Sequence, residues 1–182
     1  MRVFLGIPIA EEAAEEIAAG YAAFKGLKAK FVETQNLHVT LKFIGEVKEQ
    51  AVKNIIKALE PALAGTMSFT VAVNGVKTFP SSQEAKVIWA GIEKGNGAIK
   101  EIFVKCEESL YKAGFKKEEK EFIPHITMAR VKVPQDVTKM LKGIRIIAET
   151  EAQRVVLYKS ELSHKGPVYE ELWSMNLEAG DK

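Results

Sequence analysis

A short pattern, histidine–apolar–threonine–apolar, occurs twice in this chain and constrains its fold more than any other feature. The copies are His38-Val39-Thr40-Leu41 and, with its histidine 87 residues after the first, His125-Ile126-Thr127-Met128. Their apolar residues suit a strand, in which successive side chains point to opposite faces. Each copy therefore predicts a strand with histidine and threonine on one face and apolar residues toward a core. The separation, close to half of the 182 residues, predicts two related lobes facing each other.

The bulk composition is that of an ordinary globular protein. With 47% apolar and 27% charged residues, the chain can bury a sizeable core, and its length fits one domain, residues 1–182, made of two packed lobes. A formal net charge of +2 does not predict broad electrostatic capture of nucleic acid, although it allows a local basic cleft. The sole cysteine, Cys106, excludes an intrachain disulfide and fits a reducing compartment.

No stretch of the sequence approaches the ~20 apolar residues that span a bilayer. The apolar run at the N-terminus is also too short for a signal peptide. We therefore expect a cytoplasmic protein without a membrane partner, and we expect a monomer. Cys106 lies on the apolar stripe of a predicted helix, which indicates a core residue rather than a nucleophile.

The periodicity of the remaining sequence predicts an α+β fold. Apolar residues recur at helical spacing over Glu11–Lys25, Glu49–Leu63 and Gly97–Lys112. Pro134-Gln135-Asp136 is expected to open a short fourth helix that ends at Leu141. Strand-like stretches adjoin one another too often for a doubly wound parallel sheet. We expect mainly antiparallel sheets lining a central cleft, with helices on the outer faces. The order strand, helix, motif strand in the first half recurs in the second.

Three local signals give narrower expectations. Asn74-Gly75 is a strong turn signal between strands, and Asn96 is placed to cap the third helix. The run Lys116–Glu121 either touches RNA phosphates or is solvated surface, and its mixture of charges of both signs is typical of surface.

Two histidines with two threonines suit acid–base chemistry on a phosphodiester. Histidine titrates near neutrality, so one imidazole can accept a proton while a protonated partner donates one. The hydroxyls and the imidazolium can stabilise negative charge developing on phosphate oxygens. The sequence has no metal-ligand spacing of histidines or cysteines and no glycine-rich nucleotide loop. We therefore predict neither a metal nor a cofactor.

The motifs and their surroundings resemble the 2H phosphoesterases, in particular the RNA 2′,3′-cyclic phosphodiesterases, which are also called 2′-5′ RNA ligases. The resemblance covers Arg2–Ile7, Asn36–Glu46 and Pro124–Arg130, and near the end Ser160-Glu161-Leu162 followed by Gly166-Pro167-Val168-Tyr169. It implies a bilobal, pseudo-two-fold fold with both motifs in one cleft. It further implies hydrolysis of the 2′,3′-cyclic phosphate ends of RNA, tRNA fragments among them, to 2′-phosphates, with 2′-5′ ligation as the reverse reaction.

The same resemblance implies roles for individual residues. His38 corresponds to the proton donor, His125 to the proton acceptor, and Arg130 to a phosphate ligand. Strict alternation along a strand, however, places Arg130 on the face opposite His125 and Thr127. Either the strand twists, ends or breaks register before Arg130, or Arg130 is a cation of the rim or of the structure.

Three further residues are open to two interpretations. Lys42 has the right parity to lie beside Thr40, but it equally suits a solvated edge position. Tyr169 either stacks on a base or packs in the core. His164 lacks a following threonine and lies in a predicted turn, so we interpret it as a surface histidine.

Two other functions compete with RNA end hydrolysis. The same chemistry would serve a small cyclic nucleotide, an ADP-ribose cyclic phosphate or a 2′-5′-linked oligonucleotide. Alternatively, the histidines would only hydrogen-bond phosphate in an RNA-end-binding module. A pure binder would favour arginine and lysine over two histidines and two threonines, which argues against that last alternative.

Overall fold

Nine strands form one continuous sheet in the computed structural model, which describes residues 1–164 and 166–180. The strands are β1 (Arg2–Pro8), β2 (Ala29–Phe31), β3 (His38–Glu46), β4 (Phe69–Phe79), β5 (Ala85–Lys94), β6 (His125–Gln135), β7 (Ile147–Ala152), β8 (Arg154–Leu162) and β9 (Pro167–Asn176). Neighbouring strands of this sheet pair antiparallel. The predicted α+β fold is confirmed, with one sheet spanning both lobes.

Helices cover the face of the sheet opposite the motif histidines. They are α1 (Glu11–Ala19), α2 (Glu49–Leu63), α3 (Asn96–Lys112) and the short α4 (Thr138–Leu141). Buried residues of the three longer helices, such as Ile17, Ile55 and Ile102, share one apolar core with Val39 and Ile126 of the motif strands. Burial of these apolar faces is the main force that holds helices on the sheet. The polar face of the motif strands is thereby left for a site.

The order of strands reveals a pseudo-two-fold arrangement about the two motif strands. The sheet runs β7-β4-β5-β6-β3-β1-β8-β9, with β2 paired to β6. Outward from the centre, β3 is followed by β1, and β6 by β5, so the units β1–α1–β3 and β5–α3–β6 are equivalent. The predicted repeat of strand, helix and motif strand is confirmed. The lobes differ from the sequence halves, because β8 and β9 return to the first motif's side while β4 joins the second.

Three of the predicted helix boundaries are wrong. The fourth helix begins at Thr138, because Pro134 and Gln135 continue β6. The first helix ends at Ala19, and Gly20–Phe24 forms a 3-10 helix instead of continuing to Lys25. The chain packs so closely there that a Cβ at Gly20 would overlap the side chain of Ile146. Asn96 does not cap α3, because Gly95 occupies the N-cap position with a φ of 85° and the Asn96 side chain donates to the Ile92 carbonyl.

The predicted turn at Asn74-Gly75 is also wrong. Both residues lie within β4, which pairs with β5 on one side and β7 on the other. Gly75 adopts a φ of 75° where the register against β5 shifts between Val73 and Val76. A glycine with positive φ serves a bulge as readily as a hairpin, and the pairing on both sides of β4 selects the bulge.

Cys106 lies in the core, as its helical position predicted. Burial raises the pKa of its thiol to about 12, so the thiolate that a nucleophile requires is scarce at neutral pH. None of the helices in the described residues is long and apolar enough to cross a membrane.

Candidate active site

The two motif strands meet at the centre of the sheet through a pairing of Val39 with Ile126. Because the strands are antiparallel, this register brings His38 beside Thr127 and Thr40 beside His125, on the face opposite the core. Each imidazole therefore neighbours the threonine of the other motif. The motif strands thus lie side by side, with their histidines and threonines on one shared face.

Equivalent hydrogen bonds orient the two imidazoles. Nδ1 of His38 lies 2.7 Å from the carbonyl oxygen of Asn36, and Nδ1 of His125 lies 2.7 Å from that of Ile123. A carbonyl oxygen only accepts, so each Nδ1 carries a proton and donates it. Nε2 is therefore the nitrogen that gains and loses a proton on both rings. One acid and one base can operate from this arrangement without rotating either ring.

His38 is held by a hydroxyl and by aromatic rings. Its Nε2 lies 2.9 Å from Thr40 Oγ1, so the hydroxyl donates to neutral His38 and accepts from the protonated ring. The Phe4 ring lies 4.9 Å from the imidazole, and Tyr169 meets it edge-on at 5.5 Å, centroid to centroid. Tyr169 thus packs against the candidate proton donor, as a core residue would, and it also lines a cavity, as a residue that stacks on a base would.

His125 is enclosed by different aromatic side chains. Phe79 and Trp89 stack on each other at 4.6 Å, and both meet the imidazole edge-on at 5.3 and 5.5 Å. The two lobes therefore support their histidines with the same backbone hydrogen bond but with unrelated packing.

The pKa of each histidine lies below its ordinary value of 6.5. Burial is the main cause for His38, opposed by the hydrogen bond to Asn36 and reinforced by the positive charges of His125 and Arg130. For His125 the pKa is again lowered chiefly by burial, with a further contribution from Arg130. Removing imidazolium from water disfavours its charged form, and nearby cations add to this effect. Both rings are therefore predominantly neutral at pH 7 in the free protein.

A β-bulge follows the threonine in each motif strand. In β3 the register shifts against β1, and Leu41 is the extra residue. In β6 the equivalent shift against β5 makes Met128 the extra residue. A bulge reverses the alternation of side chains beyond it. Phe43 and Arg130, which unbroken alternation would place opposite the histidines, consequently lie on the polar face and line the cleft.

The bulge in β6 resolves the conflict between the resemblance and strand parity at Arg130. Its guanidinium lines the cleft together with Thr127, and its charge is close enough to lower the pKa of both His38 and His125. Strict alternation was the wrong expectation for this strand. A planar guanidinium beside two imidazoles is well suited to hold an anionic phosphate.

The bulge in β3 has the opposite consequence for Lys42. Its side chain turns inward and is only 6% exposed, so both interpretations made for it, beside Thr40 or at a solvated edge, are wrong. Its Nζ lies 2.9 Å from both carboxylate oxygens of Glu107 and donates to the Lys116 carbonyl at 2.8 Å. The same carboxylate accepts from the Glu118 amide. This buried pair anchors one end of the run Lys116–Glu121, whose residues are otherwise exposed as predicted.

Two adjoining cavities open on either side of the four motif residues. The first, which we call the His38 cavity, has a volume of about 390 Å³ and is lined in part by His38, Tyr169 and Lys30. The second, the His125 cavity, has about 730 Å³ and is lined in part by His125, Phe79 and Phe122. Both cavities share four lining residues, Thr40, Phe43, Thr127 and Arg130. A phosphate bound at the shared wall would contact both halves of the site.

Sequence reasoning missed several residues that shape this site, Gly6 and Phe43 among them. A Cβ at Gly6 would lie 3.0 Å from the Val39 carbonyl and 3.2 Å from the His38 ring, so a glycine allows the close packing of that imidazole. An isolated glycine within a strand was the available signal. Phe43 is 61% exposed in the cleft, and no sequence signal reveals it, because its position depends on the bulge.

The third histidine stays apart from this site. His164 is exposed in the connection between β8 and β9, as predicted. In residues 1–164 and 166–180, no group of three or more histidine, cysteine, aspartate or glutamate side chains is arranged to hold a metal ion.

Known proteins resemble this chain in sequence. The family described as LigT like Phosphoesterase matches residues 7–89 and 92–169, each stretch containing one motif. An RNA 2′,3′-cyclic phosphodiesterase of Methanocaldococcus jannaschii is 39% identical over 178 residues, covering 93% of this chain and 97% of that protein. A protein of the same name from Thermotoga maritima is 33% identical over 184 residues, covering 99% and 97% respectively.

The fold also has solved counterparts. The crystal structure of the protein TT0787 of Thermus thermophilus matches with a TM-score of 0.86 and 24% identity, covering 100% of both chains. Its matching region is the whole curled sheet with its helices. The fold and the family match together define a phosphoesterase built on two related lobes. The chain belongs to the LigT-like phosphoesterase family, and the resemblance inferred from the motifs is confirmed.

Proposed function

We propose that this protein hydrolyses the 2′,3′-cyclic phosphate ends of RNA to 2′-phosphate ends without a metal ion. The observation that carries the proposal is the pair of imidazoles beside two threonines and Arg130 at one cleft wall. Each imidazole has Nδ1 bound to a carbonyl oxygen and turns Nε2 to proton transfer, and Nε2 of His38 contacts the Thr40 hydroxyl. The names of the relatives in Methanocaldococcus jannaschii and Thermotoga maritima support this choice of substrate.

The two histidines divide the proton transfers. Nε2 of His125 takes a proton from water as its oxygen bonds to phosphorus, while Nε2–H of His38 gives a proton to the departing 3′ oxygen. The bond between phosphorus and the 3′ oxygen breaks, and the phosphate stays on the 2′ oxygen. Thr40, Thr127 and Arg130 donate to the non-bridging oxygens, where negative charge accumulates. In 2′-5′ ligation a 5′-hydroxyl of RNA takes the place of water. Its oxygen bonds to phosphorus as His125 takes the proton, the bond to the 3′ oxygen breaks with a proton from His38, and a 2′-5′ linkage remains.

The lowered pKa values of the two histidines predict how hydrolysis depends on pH. In kcat/KM, which reports the free enzyme, the rate rises as the base deprotonates and falls as the acid deprotonates. Since burial lowers the pKa of both His38 and His125, both limbs belong below 6.5, and the bell should peak at acidic pH.

Bound substrate should move this profile in a known direction. A phosphodiester carries negative charge, which favours imidazolium and raises the pKa of both rings. The kcat profile should therefore peak at higher pH than the kcat/KM profile. Steady-state kinetics across a pH series checks both statements, and a kcat/KM optimum above pH 6.5 would contradict the first.

A direct assay tests the proposed function. Purified protein is incubated with an oligoribonucleotide that ends in a 2′,3′-cyclic phosphate, with and without EDTA, and the product ends are identified. We expect a 2′-phosphate and equal rates with the chelator. A predominant 3′-phosphate would refute the assigned geometry, and loss of rate in EDTA would refute the metal-free mechanism. Tight binding without turnover would instead indicate the RNA-end-binding module.

The substrate series extends the same assay. Comparison with a small cyclic nucleotide, an ADP-ribose cyclic phosphate and a 2′-5′-linked oligonucleotide ranks the competing substrates by kcat/KM. We propose RNA fragments, such as those of tRNA, as the preferred class.

We further propose that residues 1–182 act as one monomeric domain in the cytoplasm. One sheet joins both motif strands, and a single chain supplies all the motif residues, which supports a self-contained domain. The single cysteine fits a reducing compartment.

A further inference from the structure

Four cations project from one face of the ribbon formed by β2 and β6. Lys30 on β2 lies opposite Arg130 on β6 in the antiparallel register. The Lys132 amide donates to the Lys28 carbonyl, so Lys28 lies opposite Lys132 in the same register. All four side chains are exposed. Between them, Ala29 pairs with buried Val131, so those two face the core. We call Arg130, Lys30, Lys28 and Lys132 the cationic ladder.

The ladder is unfavourable for the protein by itself. Like charges directly opposite each other on neighbouring strands are destabilising, and here two successive outward pairs are both cation with cation. Within residues 1–164 and 166–180, no carboxylate forms an ion pair with any of the four. The protein as a whole is nearly neutral, so a general excess of lysine does not account for the cluster. An external anion would relieve this repulsion.

The ladder is continuous with the candidate active site. Arg130 lines the wall shared by both cavities, and Lys30 lines the His38 cavity. A Cβ at Gly166 would lie only 3.1 Å from Lys30 Nζ, so this ammonium lies against the cavity rim. The outer step, Lys28 with Lys132, lies two residues further along each strand, about 7 Å away. The cations thus form a track that leads out of the cleft.

We infer that the cationic ladder binds the backbone phosphates of the nucleotides that precede the cyclic end of an RNA substrate. The inference rests on the proposed function. A 2′,3′-cyclic phosphate is the last phosphate of its strand, so every additional phosphate lies upstream of it. With the cyclic phosphate at Arg130, the preceding phosphates of an extended strand follow Lys30 and then Lys28 with Lys132. Contacts of this kind are independent of base sequence and weaken with salt.

The test compares a long and a short substrate in a ladder variant. Lys28→Gln combined with Lys132→Gln removes the outer step, which lies outside both cavities. Lys53→Gln combined with Lys57→Gln removes the same charge from two exposed positions of α2 and serves as the control. The measured quantity is kcat/KM for a tetranucleotide ending in a 2′,3′-cyclic phosphate, divided by kcat/KM for the corresponding cyclic mononucleotide.

In the ladder variant this ratio should be lower by roughly tenfold at low salt. When log kcat/KM for the tetranucleotide is plotted against the logarithm of the salt concentration, the slope should become shallower by about 0.7 for each lysine removed. The control should retain the wild-type ratio. Urea unfolding of the ladder variant should show a stability equal to or above that of the wild type, because a repulsive pair has been removed. A lower free energy of unfolding together with an unchanged kcat/KM ratio would show that these lysines stabilise the fold rather than bind RNA, and would overturn the inference.

A binding measurement separates failure of the ladder from failure of the proposed function. Affinity for a tetranucleotide with a 3′-phosphate end is measured by fluorescence anisotropy for the wild type, the ladder variant and the control. If the wild type hydrolyses neither cyclic substrate, the proposed function fails, while weaker binding confined to the ladder variant still supports the ladder. Equal affinity and equal salt dependence in all three proteins would overturn the ladder even where hydrolysis is found.

Discussion

Replacing His125 by alanine is expected to lower kcat for hydrolysis of a 2′,3′-cyclic phosphate by ~10²–10⁴-fold, and replacing His38 by alanine is expected to do the same. Each change removes the imidazole whose Nε2 is assigned the proton transfer on its side of the cleft, since Nδ1 of each ring is committed to a carbonyl oxygen. Single-turnover kinetics with saturating enzyme measures the chemical step directly. His164→Ala, which alters an exposed histidine elsewhere, is the matched control and should stay near the wild-type rate.

A change of leaving group distinguishes the acid from the base. In a nucleoside phosphodiester with a nitrophenyl ester group, nitrophenolate leaves without needing a proton. Hydrolysis of this substrate therefore bypasses the general acid. With this substrate the loss caused by His38→Ala should be much smaller, whereas the loss caused by His125→Ala should persist. Rescue of the His125 variant instead would reverse the assignment. Damage from His164→Ala as severe as from His125→Ala would mean that the wrong histidines have been chosen.

Replacing Lys42 by alanine is expected to destabilise the fold by ~3–5 kcal/mol, the usual cost of removing one partner from a buried ion pair. The loss leaves the Glu107 carboxylate buried without its cation, although the Glu118 amide still donates to it. It also releases the Lys116 carbonyl, which Lys42 holds. Equilibrium unfolding in urea, followed by circular dichroism, measures the difference in free energy.

Two variants show whether burial is the cause. Lys42→Met combined with Glu107→Leu removes both charges, so it should recover much of the stability lost in Lys42→Ala. Lys159→Ala breaks a surface cluster with Glu161 and Glu170, and its unfolding midpoint should barely move. Equal losses from Lys42→Ala and Lys159→Ala would show that the buried pair contributes no more than a surface one.

Local sequence was sufficient to place the catalytic candidates on strands. Alternation over four residues fixes which side chains share a face, and it correctly put His38 with Thr40 and His125 with Thr127 above an apolar core. The duplication of the motif predicted two related units that meet. Both conclusions depend on contacts within a few residues or on an internal repeat, which a sequence displays directly.

The bulges, by contrast, depend on the partner strands. Nothing in Leu41 or Met128 reveals an extra residue, because a bulge is a mismatch between two strands that are distant in sequence. That mismatch brings Arg130 into the cleft, exposes Phe43 there and buries Lys42 against Glu107.

Sheet topology decided the remaining features. Asn74-Gly75 forms no hairpin turn, because β4 has a partner strand on each side. The last two strands lie in the first lobe, because β8 pairs with β1. The cationic ladder likewise requires β2 to lie beside β6, about 100 residues later in the chain. The sequence by itself determined which faces carry polar residues. Only the tertiary structure decided which of those faces meet, because strand pairing over long sequence separations leaves no periodic signal within either strand.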